Sequence, residues 1–494
     1  MFAVFTDKVS PRIRYVLEEI LGRRLEKSVR LCFEEQDYCE YYNLGNPHCV
    51  KYLEIDRPDL PGTFVQRTGT ILEQGMDELN EPISTEYHFS DEEINKLSNH
   101  FENEFQIPVS NEVVSILKSP QRALFKTETS LGYDPFSFAF YCLSRYEEYF
   151  PYNSDLLKRF SHQQSIAFKQ NWNTLPYLDL ALVKFYLSLN LEVNEFYRFK
   201  IHSTIDIDIA YRFLGRPVFR QLGAWFKYPQ WMLARFKTYF TRIDAFAPNR
   251  TVIPFIEAGG KTTLENARVF ILCSEKDSKY NKQVMRTFIP WKNNIKLMNS
   301  ITQIGLHPSL NVSTVSLSQS RLTPLDQDET PIYTLHPNSL VLWNNEKLWL
   351  ERTSGKIPIL DSRQHYIHLL MPHTYRYLIQ LGIKNDWSMG FAQDLGYRAG
   401  TAVPFLWYDL LEDNTTNLTI HPFSVMDVTL KNYLILEPSD AQRITSSIKN
   451  MCAVLGVPFT YIVHNESLSG LQGWKGWKPI FNSWRDDLNR NNKP

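Results

Sequence analysis

The stretch that decides the fold is Ile201-His202-Ser203-Thr204-Ile205-Asp206-Ile207-Asp208-Ile209. Side chains alternate across a strand, so Ile201, Ile205, Ile207 and Ile209 share one face and His202, Thr204, Asp206 and Asp208 share the other. Two carboxylates then stand about 6 to 7 Å apart on one side of the strand, at its C-terminal end. An apolar strand has little structural use for two acids, and desolvating them without partners is costly. A metal ion or an arginine would offset that cost. The competing reading is an exposed edge strand with solvated acids.

The texture on either side supports a buried strand. From about residue 196 the sequence alternates strand, loop and helix. Candidate strands are Lys200 to Ile209, Arg268 to Cys273, Thr302 to Leu306, Ile357 to Asp361, Asn385 to Met389, Leu418 to His421 and Phe459 to His464. Helical stretches separate them, notably Pro217 to Phe240, Pro372 to Leu381 and Ser439 to Leu455. Such alternation predicts βα units around a parallel sheet or barrel, with the chemistry at the C-terminal ends of the strands.

Upstream, residues 1–125 mix short strands (Phe2 to Phe5, Val29 to Phe33, Thr63 to Val65) with acidic helix starts, one of them at the Ser90 N-cap, and read as a smaller α/β domain. Residues 126–195 read as a helical, aromatic-rich connector. There Asp134 caps a helix with Pro135 at its first position, and Phe136, Phe140, Leu143 and Tyr146 fall on one face. The expectation is a packing helix between domains.

The chain has 494 residues, enough for two or three domains; 43% are hydrophobic and 14% aromatic, which excludes disorder and low complexity. Lys and Arg number 53 against 54 Asp and Glu. No global field therefore recruits nucleic acid or an anionic membrane, and any such binding has to be local. The six cysteines show no CxxC, which argues against a zinc ribbon or disulfide framework. With no signal-peptide pattern and no run of about 18 apolar residues, the expectation is a cytoplasmic protein without a transmembrane segment. The oligomeric state is left open.

Two further strand ends carry groups suited to metal or proton chemistry: His307, after Ile304-Gly305-Leu306, and His464, after Phe459 to Val463. Arg363 and His365 follow Asp361, and Tyr397 and Arg398 lie in Gly396-Tyr397-Arg398-Ala399-Gly400. An arginine near paired carboxylates favours an ionised base. Trp474 and Trp477 could stack on sugars, although packing is the commoner use of such residues. Gly259-Gly260 fits no nucleotide-binding loop.

In YDPFSFAFYCLSRYEEY (133–149), STIDIDIAYRF (203–213), GLHPS (305–309), SRQHY (362–366), DWSMGF (386–391), GYRAGT (396–401), HPFSVMDVTL (421–430) and HNESLS (464–469), the chain resembles the polysaccharide deacetylases of the NodB-homology fold, carbohydrate esterase family 4. It is closest to a bacterial branch in which that domain follows an uncharacterised N-terminal domain. The resemblance implies a distorted (β/α) barrel over residues 196–494 that removes N-acetyl groups from an amino sugar, with a divalent metal, usually zinc. Carried over residue by residue, it implies Asp206 as catalytic base, His464 as general acid and Arg363 as the arginine that orients the base. It implies Asp208 and His307 as metal ligands and Arg398 and Tyr397 as substrate contacts. The second metal histidine of the H-x3-H motif is replaced by Asn311, a weaker ligand, which leaves His365 and His421 as candidates for a third donor. Two alternatives stand beside this reading: a catalytically silent domain that binds a polysaccharide precursor or assembly partner, and a glycosidase using Asp206 and Asp208. Two acids on one strand lie on the same side of a glycosidic bond, which makes the glycosidase awkward.

Overall fold

The computed structural model describes residues 1–45, 48–68, 70–72, 82–150, 152, 154–216, 232–275, 280–282, 284–310, 316–317, 332–333, 335, 338–471, 473–486 and 488. Asn311 and most of the expected helix Pro217 to Phe240 lie outside them; the end of that stretch, Met232–Thr241, is helical.

The strands are β1 (Phe2–Phe5), β2 (Val29–Cys32), β3 (Cys49–Leu53), β4 (Thr63–Gln66), β5 (Ser84–Tyr87) and β6 (Gln121–Leu124), followed by β7 (Ile201–Ile207), β8 (Arg268–Leu272) and β9 (Gln303–His307). After the short pair β10 (Ser316–Leu317) and β11 (Ile332–Tyr333) come β12 (Asp361–Ser362), β13 (Asn385–Met389), β14 (Phe405–Asp409), β15 (Asn414–Pro422), β16 (Val425–Met426) and β17 (Phe459–His464). β7–β9 and β12–β17 form one nine-stranded sheet in the order β14-β15-β13-β12-β9-β8-β7-β17-β16, parallel throughout except that β14 is antiparallel to β15. β7 is therefore an interior strand between β8 and β17, and the edge-strand reading fails. The expected strand at Ile357 to Asp361 is shorter and shifted onward, because residues 357–360 approach the sheet as an irregular segment.

The sheet is curled. β15 and β16 belong to one stretch of chain separated by Phe423 and Ser424, yet β15 pairs with β13 and β16 with β17. At the join, Phe423 N–H donates to Met389 O and Ser424 N–H to Thr460 O. One stretch thus ties the two sides of the parallel array together. The side of β7 that carries Thr204 and Asp206 faces the enclosed space, which explains acids on a strand flanked by isoleucines.

Residues 1–195 pack on the outside. β2-β1-β3-β4 form a four-stranded parallel sheet and β5-β6 an antiparallel pair. The Ser90 capping box opens helix Asp91–Phe105 as expected. Helix Pro135–Leu143, capped by Asp134, is buried at every position, more deeply than one apolar face required. Tyr15 Oη donates to Leu406 O at 2.7 Å, and Arg12 pairs with Asp413 at 2.7 Å, so this region covers the β14 edge of the large sheet. One apolar core runs from Phe2 to Trp484 through both parts. Trp474 and Trp477 are buried in it against Phe481, so they pack rather than stack on a ligand. All six cysteines are free. Among the described residues no helix is long and apolar enough to cross a membrane.

Candidate active site

Parallel register brings the polar strand ends together. His464, last in β17, sits opposite Asp206 of β7, and His307, last in β9, sits opposite Leu272 of β8. Arg363 follows β12 and donates its backbone N–H to Leu306 O. Asp208 lies just beyond β7, and His365 two residues beyond Arg363. Asp206, His307, His365 and His464 are buried, whereas the Asp208 side chain keeps 23% of its surface exposed and marks the open side of the cluster.

Asp208, His307 and His365 form a group able to hold a metal ion, with one donor atom from each and all of these within 4.8 Å of one another. The hydrogen bonds behind them set the tautomers. His307 Nδ1 lies 2.6 Å from Arg363 O, which only accepts, so Nδ1 carries the proton and Nε2 presents a lone pair. Asn281 Oδ1 accepts from Leu310 N–H while Asn281 Nδ2 donates to Leu310 O, which fixes the amide orientation. The same Oδ1 is 3.2 Å from His365 Nδ1, so that nitrogen also donates and His365 Nε2 is free. The two Nε2 atoms stand 3.1 and 3.3 Å from the two oxygens of Asp208. His307 Nε2 and Asp208 Oδ1 are both buried without a hydrogen-bond partner. Two imidazoles and one carboxylate converging in this way make a donor set that suits a divalent metal with an open position. His365 is therefore placed to offer a third donor independently of Asn311. His421 does not join the group: its ring stacks on Trp387 at 3.9 Å and its Nε2 meets Asn385, the first residue of β13, at the other end of the strands.

Charge in this pocket is tightly balanced. Burial pushes the Asp208 pKa up, but His365, His307 and His464 hold it well below the usual carboxylate range. Burial lowers the His307 pKa, and Asp206 and Asp208 more than reverse that. For His365 burial prevails and the pKa falls.

His464 belongs to a second unit. Its Nδ1 lies 2.7 Å from Asp427 Oδ1, and its backbone N–H donates to Asp427 Oδ2 at 2.7 Å. Asp427 is fully buried. Burial lowers the His464 pKa, yet Asp427, Asp208 and Asp206 together raise it well above the ordinary value. His464 Nε2 points back to the cluster, 3.8 Å from Asp208 Oδ2. Sequence reasoning gave Asp427 no role, although an acid immediately after the short apolar strand β16 was the available signal. Asn281, which orients His365, sits in an irregular segment and had no such signal.

Arg363 is fully buried, its guanidinium carbon 5.0 Å from the centre of the Phe270 ring and 5.2 Å from that of Phe423. It donates to Thr204 Oγ1 at 2.8 Å, while its Nε and Nη1 have no hydrogen-bond partner, and neither has Asp206 Oδ1. Burial lowers its pKa, opposed by the carboxylates of Asp206 and Asp386.

Tyr397 and Arg398 are not brought to this cluster. Tyr397 is buried with its hydroxyl 3.0 Å from Cys452 Sγ. Arg398 is buried in a bidentate pair with Glu148. Both are committed to packing residues 1–195 against the large sheet: Tyr397 N–H donates to Asn173 O, and Gly400 O accepts from Leu178 N–H.

Residues 2–193 match the model of a family of unknown function, DUF7033. The match runs through both the 1–125 region and the 126–195 connector and ends before β7. No curated protein matches the chain. Among solved structures, the crystal structure of a candidate polysaccharide deacetylase from Mycobacterium smegmatis is similar at a TM-score of 0.36 and 14% identity, over 58% of this chain and 82% of that one. At that level the likeness carries no weight for activity, which has to be argued from the site.

Proposed function

We propose that residues 196–494 form a distorted (β/α) barrel of the NodB type that hydrolyses the N-acetyl group of an amino sugar, in a polysaccharide or its precursor. Residues 1–125 and the 126–195 connector pack against it. The observation that carries this reading is the joint presence, at one end of the parallel strands, of a three-donor group (Asp208, His307, His365), a buried carboxylate whose Oδ1 has no hydrogen-bond partner (Asp206) and a carboxylate-backed histidine (His464 with Asp427). The sequence motifs resembling polysaccharide deacetylases support the same assignment.

A divalent metal, zinc by the resemblance of the motifs, would be held by Asp208, His307 and His365, and when bound would supply Lewis-acid polarisation of the acetamide carbonyl. Asp206 Oδ1 is free to accept a proton from the attacking water. Arg363, clamped between Phe270 and Phe423, is a positioning residue that keeps a fixed positive charge near that carboxylate. His464 carries its proton at Nε2, facing the same space, and gives it to the departing amine as the C–N bond breaks; Asp427 holds the ring in that tautomer. Water adds to the carbonyl carbon, and the products are acetate and a free amino sugar. A third donor at His365 would offset the asparagine at 311, on which the reading as a catalytically silent domain mainly rests.

The test is acetate release from N-acetylated sugar oligomers by the wild type beside Asp206→Asn and His464→Ala. Loss of activity in both variants is expected. Undiminished acetate release in both would overturn the assignment.

A further inference from the structure

Helix Met232–Thr241 is built the wrong way round for a protein surface in water. Leu233 is 84% exposed, Phe240 85% and Phe236 43%. At positions i, i+3 and i+7 they form one apolar stripe facing outward. The opposite side buries Arg235 and Thr238 instead. Ile243 and Met285, both more than two-fifths exposed, extend the apolar surface around a cavity of about 760 Å³ that Arg216, Arg242 and Arg250 also line. Lys237 and Arg242 stand exposed beside the stripe.

Charge identifies the partner. Between Ile209 and Ile243 the sequence carries seven Lys or Arg and no Asp or Glu, in a chain whose overall net charge is -1. Of these, Lys237 and Arg242 are exposed and Arg212 and Arg216 half-buried among the described residues, so a second copy docking here by two-fold symmetry would set cations against one another, which is unfavourable. An outward apolar stripe rimmed by Lys and Arg matches an anionic bilayer, into whose interface such a stripe sinks while the cations meet lipid headgroups.

We propose that helix Met232–Thr241, with Ile243 and Met285, docks the protein reversibly on the surface of an anionic membrane. The segments on either side of the helix are anchored at the active-site end of β7. Residues 209–216 leave the C-terminal end of β7 directly after Asp208, and Asp244 accepts from the backbone N–H groups of Phe213 and Leu214. Asn465, next to His464, donates to Ile209 O and Phe246 O. If the deacetylase reading holds, membrane docking would favour an N-acetylated sugar carried on a lipid. Docking itself does not depend on that reading.

The experiment is flotation of the full chain with vesicles of phosphatidylglycerol and phosphatidylcholine, and with phosphatidylcholine alone. The wild type should float with the mixed vesicles, less so at raised salt, and not with phosphatidylcholine alone. Leu233→Ser/Phe240→Ser and Lys237→Glu/Arg242→Glu change only exposed side chains, so folding is retained, and each should reduce flotation about tenfold or more. Wild type that stays unbound with both vesicle types, variants that float as well as wild type, or a dimer in solution that Leu233→Ser/Phe240→Ser dissolves would each overturn the proposal.

Discussion

Replacing Glu148 tests whether Arg398 is held for the fold or available to a ligand. The Glu148 carboxylate accepts from Arg398 Nε at 2.7 Å and from Arg145 Nε at 2.8 Å, and all three side chains are 2% exposed. Glu147 gives Arg145 a second carboxylate at 2.7 Å, so the group holds two cations and two anions. Glu148→Ala leaves two guanidiniums facing one carboxylate, and Arg398→Ala leaves two carboxylates facing one guanidinium. Removing one partner of a buried pair costs about 3–5 kcal/mol, because the remaining charge is uncompensated, and each single variant should lose about that much. The double variant removes one charge of each sign, so its loss should fall short of the sum by about 1.5 kcal/mol or more. Chemical denaturation followed by circular dichroism at neutral pH measures all three. Acid supplies a second readout. Burial raises the Glu148 pKa, but Arg398 and Arg145 bring it below its ordinary 4.5. A carboxylate lowered in this way contributes stability that is complete above its unfolded pKa and is lost as pH falls through the folded one. The advantage of wild type over Glu148→Ala should therefore shrink on acidification below that ordinary value. Additive single losses, or a Glu148→Ala loss under about 1 kcal/mol, would show that Arg398 is not held by a buried, coupled charge group.

Asp427→Asn keeps the shape beside His464 but removes the charge that raises its pKa. A general acid fails once pH rises past its pKa, so the alkaline limb of the rate profile should move to lower pH. kcat should drop about 100-fold with KM little changed, and a rise in KM at constant kcat would count against the assignment. Gly396→Ala should destabilise the protein by about 1–3 kcal/mol or more, because φ there is +107° and the new Cβ would lie 1.8 Å from Asn173 O. A melting temperature equal to wild type would contradict that contact.

Much of this architecture can be read from the sequence, for definite reasons. Period-two alternation in β7 needs only local steric rules, and it put Asp206 and Asp208 on one face before any pairing was known. β13 and β17 are bounded by polar or turn residues and begin and end where the pattern predicts. β12 is harder, because a two-residue strand gives too little periodicity to fix its register, and Ile357 to Leu360 mimic a strand while lying outside the sheet. The third metal donor could be narrowed only to His365 or His421. Choosing between them depends on which end of the strands each occupies, and that is set by pairing partners far away in sequence. Arg398 and Tyr397 show the same limit. Both lie in a glycine-rich loop with the texture of a ligand site, and only Glu148 and Cys452, 250 and 55 residues away, commit them to packing. The buried ring of helix Pro135–Leu143 is likewise a tertiary fact, since Tyr15, Tyr52 and Tyr408, all distant in sequence, pack against it.

Metal analysis of purified wild type beside Asp208→Ala, His365→Ala and His421→Ala bears most directly on the central claim. One divalent ion per chain is expected in the wild type and in His421→Ala, and its loss in Asp208→Ala and His365→Ala. A wild type that binds no ion after loading with zinc, or a His365→Ala variant that retains it, would contradict the account.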